Sequence, residues 1–161
     1  MSYELVTLAS GGAKMMITAR ELKDRVIDAL NKHDLEATKQ CFAPDAVYVG
    51  PVGTAEGHEQ IGWYFEHLLE AFPDLHLTPW CKVPVYDPAV SAVSEYVMTG
   101  THLGPFLLPG GSALPATGNR IAVRAAGMCT IEDGLIISDR EYYDQLELLS
   151  QLGLCLPESV A

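Results

Sequence analysis

The stretch from Asp133 to Gly153 changes its hydrophobic period part-way along, and that change sets what the rest of the chain has to build. It opens on Asp133-Gly134, a hairpin signal because glycine takes positive φ without strain. A strand-like alternation follows. One face would hold Ile136, Ser138, Arg140, Tyr142 and Asp144, and the other Leu135, Ile137, Asp139, Glu141 and Tyr143. The first face collects a hydroxyl, a guanidinium, a phenol and a carboxylate, the groups expected of one wall of a polar-floored pocket. Leu146, Leu149 and Leu152 then fall on one helical stripe, with Asp144 in position to cap that helix. Asp144 thus has two compatible readings, a helix cap and a cavity carboxylate.

Upstream, the pattern is helical first and sheet-like afterwards. Thr18-Ala-Arg-Glu21 has the form of a capping box, and Leu22, Val26, Ala29 and Leu30 continue one apolar stripe to about Asn31. Asp34 opens a shorter helix that stops at Ala43-Pro44, because proline disfavours helix in the residue before it. Residues 46–49 read as a short strand in which Tyr48 points either to a cavity or into the core. Residues 51–56 read as a loop. Residues 57–72 form a third helix, ended by Pro73, with Ile61, Phe65, Leu68, Leu69 and Phe72 on its packing stripe. Trp63, Tyr64 and His67 lie on other faces, one of them a pocket contact or all of them ordinary packing, with Trp63 and His67 the pocket candidates.

Four long strands follow over residues 75–85, 91–103, 120–131 and 135–143. Helices first and an antiparallel meander second imply an α+β cone with a cavity at its open end. The segment 104–118 holds three prolines and four glycines, yet Phe106, Leu107, Leu108 and Leu114 are too apolar for a free linker. It reads as a lid over the cavity mouth, or as an oligomer contact. His102, where this segment begins, suits a ligand contact or a proton donor, or ties down the strand end. Residues 1–15 read as a flexible N-terminal arm, residues 16–154 as one domain, and residues 155–161 as a tail.

Composition narrows the function. The 161 residues carry 21 acidic against 10 basic side chains, a net charge of −11, and show no basic run, so neither nucleic acid nor an anionic membrane is an expected partner. No apolar run reaches the roughly 18 residues needed to span a bilayer. The N-terminus lacks the pattern of a secretory signal, so a cytoplasmic location is expected. Cys41, Cys81, Cys129 and Cys155 form no CxxC pair and read as free thiols. The five histidines show no metal-binding spacing, so no metal site is expected.

Four segments, in order, carry a resemblance. They are Asn31-Lys-His-Asp34 with Phe42-Ala-Pro-Asp-Ala-Val-Tyr48, then Ala71-Phe-Pro-Asp-Leu75, then Thr99-Gly-Thr-His-Leu-Gly-Pro-Phe106, and finally the run from Glu141 to Gly153. Together they resemble the SnoaL-like polyketide cyclase family of the NTF2-like superfamily, over roughly residues 16–154. The resemblance implies an NTF2-like cone, helices packed on a strongly curved, mostly antiparallel sheet. It also implies an enzyme that closes a ring by intramolecular aldol addition, or carries out a related isomerisation, on a hydrophobic, oxygenated small molecule, with no metal or organic cofactor. The matching acid/base position is Asp144. His102 is a second catalytic candidate, and Tyr48, Trp63, His67, Phe106, Arg140 and Tyr142 are the substrate-binding candidates. An Arg140 paired with Asp144 would lower the carboxyl's pKa, against what a base needs. A homodimer through the outer face of the sheet is expected. Another enzyme class on the same fold, such as an epoxide hydrolase or hydroxylase-like relative, and a non-catalytic small-molecule-binding protein are the alternatives.

Overall fold

The computed structural model of the chain describes residues 17–154, so the expected arm and tail lie outside the described residues. Helix α1 (Ala19–Asn31) begins with the full capping box: the Thr18 side chain accepts from the Glu21 amide, and Glu21 reaches back to the Thr18 amide. Helix α2 (Leu35–Lys39) is capped by Asp34 and ends before strand β1 (Phe42–Gly50), which starts earlier than residue 46 and runs through Pro44. The expected loop at 51–56 instead turns back as strand β2 (Gly53–Glu56), before helix α3 (Gly57–Ala71). Strands β3 (His76–Val83) and β4 (Ser91–Thr101) follow. The segment after His102 folds into a two-residue hairpin, β5 (Phe106–Leu107) with β6 (Ala113–Leu114). Strands β7 (Arg120–Glu132) and β8 (Leu135–Tyr143) lead into helix α4 (Gln145–Gln151).

The six long strands form one sheet in the order β2-β1-β8-β7-β4-β3. All neighbours are antiparallel except β1 and β8, the second and third strands, which run parallel. The β7–β8 turn is Asp133-Gly134, both at positive φ (50° and 79°), the two-residue geometry that suits the strand twist. Helices α1 and α3 cover the inner face of the sheet. The core between them is built from Leu22, Val26, Ile27 and Leu30 of α1, Ile61 and Phe65 of α3, and the inward residues of the strands.

One irregularity decides which side chains reach that interior. Along the β7–β8 ladder Thr130 pairs with Ser138 and Ile131 with Ile136, so Ile137 has no opposite residue. The extra residue is a β-bulge, and it shifts the alternation by one position. Ile136 is buried before it, and Asp139 and Glu141 are buried after it. The face assignment expected from simple alternation is therefore corrected: Ser138, Arg140 and Tyr142 do not line the interior cavity between the helices and the sheet. No helix among the described residues is long and apolar enough to cross a membrane.

Candidate functional site

Between α1, α3 and the sheet lies an enclosed cavity of about 40 Å³. That is room for about three water molecules. Its polar end is built from three elements. Lys23 sits on the apolar stripe of α1, three, four and seven residues before Val26, Ile27 and Leu30, so the helix carries its ammonium inward. Asp139 and Glu141 project from β8, and Tyr96 from β4. Lys23 is 1% exposed and Asp139 0%.

Lys23 Nζ donates to Asp139 Oδ1 at 2.7 Å, to Asp139 Oδ2 at 2.9 Å and to Glu141 Oε1. These contacts occupy the three donors an ammonium has. The Tyr96 hydroxyl donates to the other oxygen, Glu141 Oε2. Both carboxylates ionised beside one ammonium leave a net negative charge in a dry site, which a single proton on the pair removes. Burial accordingly raises the Asp139 carboxyl to about 7; Lys23 opposes the rise and Glu141 adds to it. Burial would discharge Lys23, but the two carboxylates outweigh it and hold the ammonium charged.

Phenols complete the lining: Tyr48 from β1, Tyr64 from α3 and Tyr143 from β8. Burial pushes Tyr64 up to about 12, and also raises Tyr48, Tyr96 and Tyr143, so all four remain protonated donors near neutral pH. Apolar walls come from Phe65, Leu68, Leu77 and Met98. The arrangement offers a buried carboxyl that titrates near neutrality, fixed beside hydroxyl donors. Those are the parts of a proton-transfer site.

The candidates from sequence separate into groups. Tyr48 lines the cavity, and Trp63, His67 and Phe106 meet at its mouth with Val52, Tyr64, Leu68 and Leu107. Leu107, like Phe106, belongs to β5, so the 104–118 segment forms part of the rim. Arg140 and Tyr142 lie exposed on the outer face. Asp144 is exposed at the N-cap of α4, where its Oδ1 accepts from the Leu146 amide at 2.9 Å and the Glu147 amide at 3.1 Å. No ion pair joins it to Arg140. His102 is buried against Phe72 and Phe106, and burial lowers its pKa. Its Nδ1 accepts from the Thr117 amide at 3.2 Å, which ties the strand end to the loop. Lys23, Asp139, Glu141, Tyr96 and Tyr143 were not singled out. The legible signals were a lysine in register with an apolar stripe, and two acids alternating with a tyrosine on one strand.

A family profile described as the SnoaL-like domain matches residues 24–138. No curated protein matches the sequence. Among solved structures, IdmH, a candidate polyketide cyclase from Streptomyces antibioticus, is 26% identical with a TM-score of 0.66; the match covers 84% of this chain and 99% of that one. A candidate SnoaL-like polyketide cyclase from Jannaschia is 20% identical with a TM-score of 0.74, covering 92% and 100%. AclR, a candidate hydroxylase from Streptomyces galilaeus, is 24% identical with a TM-score of 0.70, covering 86% and 97%. The family match begins just after Lys23 and stops just before Asp139, so it rests on the scaffold rather than on the buried charges. On that scaffold, the mixed sheet with its covering helices and enclosed interior, the chain belongs to the SnoaL-like domain family.

Proposed function

We propose that the protein is a cofactor-independent acid/base enzyme of the polyketide-cyclase type, acting on a hydrophobic, oxygenated small molecule. The observation that carries this reading is the convergence of two carboxylates, an ammonium and a phenol at the buried end of one cavity. A carboxylate of the Asp139–Glu141 pair removes a proton from the carbon beside a carbonyl, and the C–H electron pair becomes an enolate held by a phenol hydroxyl. The enolate carbon attacks a second carbonyl of the same molecule, forming the new C–C bond. The carboxyl then returns its proton to the alkoxide. Atoms and electrons balance without a redox partner.

Asp144 is the competing base, as the resemblance implies. Its Oδ1 caps the helix through two amides, and the side chain is exposed on the surface, away from the cavity and its hydroxyl donors. Hydrogen–deuterium exchange at the α-carbon of 2-tetralone, followed by NMR, separates the two. Asp139→Asn and Glu141→Gln are each expected to slow enzyme-catalysed exchange by at least about a hundredfold. Asp144→Asn keeps the helix cap and is expected to stay within a few-fold of wild type. The opposite pattern would move the chemistry to the β8–α4 junction, and three unaffected variants would end the acid/base reading.

A second reading, addition of water, is favoured by the cavity volume, which admits waters and little else as it stands. Oxygen-18 from labelled water would enter the product of a hydrolase. An aldol closure would take up none.

A further inference from the structure

The cavity that holds the charges is too small for a ring system, but two further hollows share lining residues with it. The first, about 20 Å³, is the mouth bounded by Val52, Trp63, Tyr64, His67, Leu68, Phe106 and Leu107. The second is a surface groove of about 470 Å³ between β2 and α3, with Thr54, Glu59, Gln60, Trp63 and Leu107 along it. One residue borders all three spaces: Tyr64.

Tyr64 is also the wall with least to lose by moving. Its ring packs on Tyr48 at 4.7 Å and on Phe65 at 5.7 Å. Its phenol end abuts Gly50, where an added Cβ would meet Tyr64 Cζ at 2.9 Å and Tyr48 Cε1 at 3.0 Å. Its side chain is a neutral phenol, kept protonated by burial. Swinging it outward therefore leaves no buried charge unpaired. Moving Lys23, Asp139 or Glu141 would. Just outside, Trp63 is 48% exposed and stacks on His67 with ring centroids 4.0 Å apart. A half-exposed indole braced from behind is a flat apolar platform facing the groove.

We propose that the groove is a distal subsite for a planar, multi-ring carbonyl compound, and that Tyr64 is the gate between it and the inner cavity. This rests on the acid/base reading of that cavity. The carbonyl end of the ligand passes Tyr64 to reach Asp139 and Glu141. The remaining rings lie on Trp63, with their polar substituents toward Glu59 and Gln60. Three separate hollows then become one channel, long enough for a fused-ring substrate.

The test is binding of alizarin, a planar tricyclic dihydroxyquinone, by equilibrium dialysis for affinity and stopped-flow absorbance for rate. Trp63→Ala, at a half-exposed position, is expected to weaken binding about tenfold. Tyr64→Leu keeps an apolar wall but shortens the gate, and is expected to speed association at least several-fold. Gly50→Ala drives the Tyr64 ring off its seat from the other side and should act in the same direction. Trp80→Phe, on the outer face, is the control. Unchanged affinity in Trp63→Ala, a loss in Trp80→Phe instead, or unchanged association in both Tyr64→Leu and Gly50→Ala would overturn the proposal. Every readout is binding, so the result is independent of the tetralone exchange that tests the chemistry.

Discussion

Gly127 has no backbone reason to be glycine, since its φ lies outside the left-handed region. It stands directly opposite Glu141 in the β7–β8 ladder, and a Cβ there would come within 2.6 Å of the Glu141 carboxyl carbon. The missing side chain is the space into which the carboxylate folds to reach Lys23 and Tyr96. Gly127→Ala should therefore cost about 1–3 kcal/mol by chemical denaturation. The cost should shrink once Glu141→Ala removes the carboxylate, and a cost unchanged in that background would mean the methyl clashes elsewhere. Asp139 adds a pH dependence. Its carboxyl is raised from an ordinary 3.8 to about 7, so between those values the folded protein holds a proton that the unfolded chain has released. The contribution to stability is thus full in acid and lost as pH rises through about 7. Carboxyl-carbon NMR should find Asp139 titrating near neutrality, and moving to lower pH in Glu141→Gln, where the like charge is gone. A midpoint near the ordinary value in wild type would mean that the pair holds no shared proton.

At the scale of elements, β8 and its junction with α4 explain what was legible. The order of helices and strands, the capping box of α1 and the limits of β8 follow from periodicity and turn chemistry, which are local. The bulge at Ile137 is set by the register between β7 and β8, which local alternation does not carry. One unpaired residue moved Asp139 and Glu141 inside, and put Arg140 and Tyr142 outside. Tyr48 borders the inner cavity and Trp63, His67 and Phe106 border the hollow beside it, positions on β1, α3 and the loop that the bulge in β8 does not alter. Lys23 was missed because a lysine is usually read as solvated; here two distant carboxylates hold it inside. Asp144 belongs to α4. Asp144→Ala is expected to cost about 1 kcal/mol of stability, read from urea denaturation, because two amide donors lose their acceptor. Asp144→Asn should restore most of it. A loss of exchange activity in Asp144→Asn without loss of stability would contradict a purely capping role.

For the whole molecule, the outer face of the sheet is the surface left uncovered among the described residues. Trp80 is 63% exposed there, Met128 44% and Tyr142 53%, beside Arg124, whose guanidinium lies 5.7 Å from the Trp80 ring. Large apolar side chains grouped on a monomer surface are costly to leave in water. A second copy of the chain, laid face to face through the same patch, would cover them with a closed two-fold contact. The net charge of −11 works against that association, because two copies repel over distances that salt screens. The two effects give opposite signs to a salt titration. Sedimentation equilibrium is expected to show a dimer that tightens as ionic strength rises, since burial of Trp80 and Met128 is unaffected by salt while the repulsion fades. Trp80→Glu with Met128→Glu should yield a monomer by adding charge to the contact itself. A wild-type protein that stays monomeric at high salt and high micromolar loading would mean the patch serves no self-association. A dimer that weakens with salt would place the contact on ion pairs elsewhere.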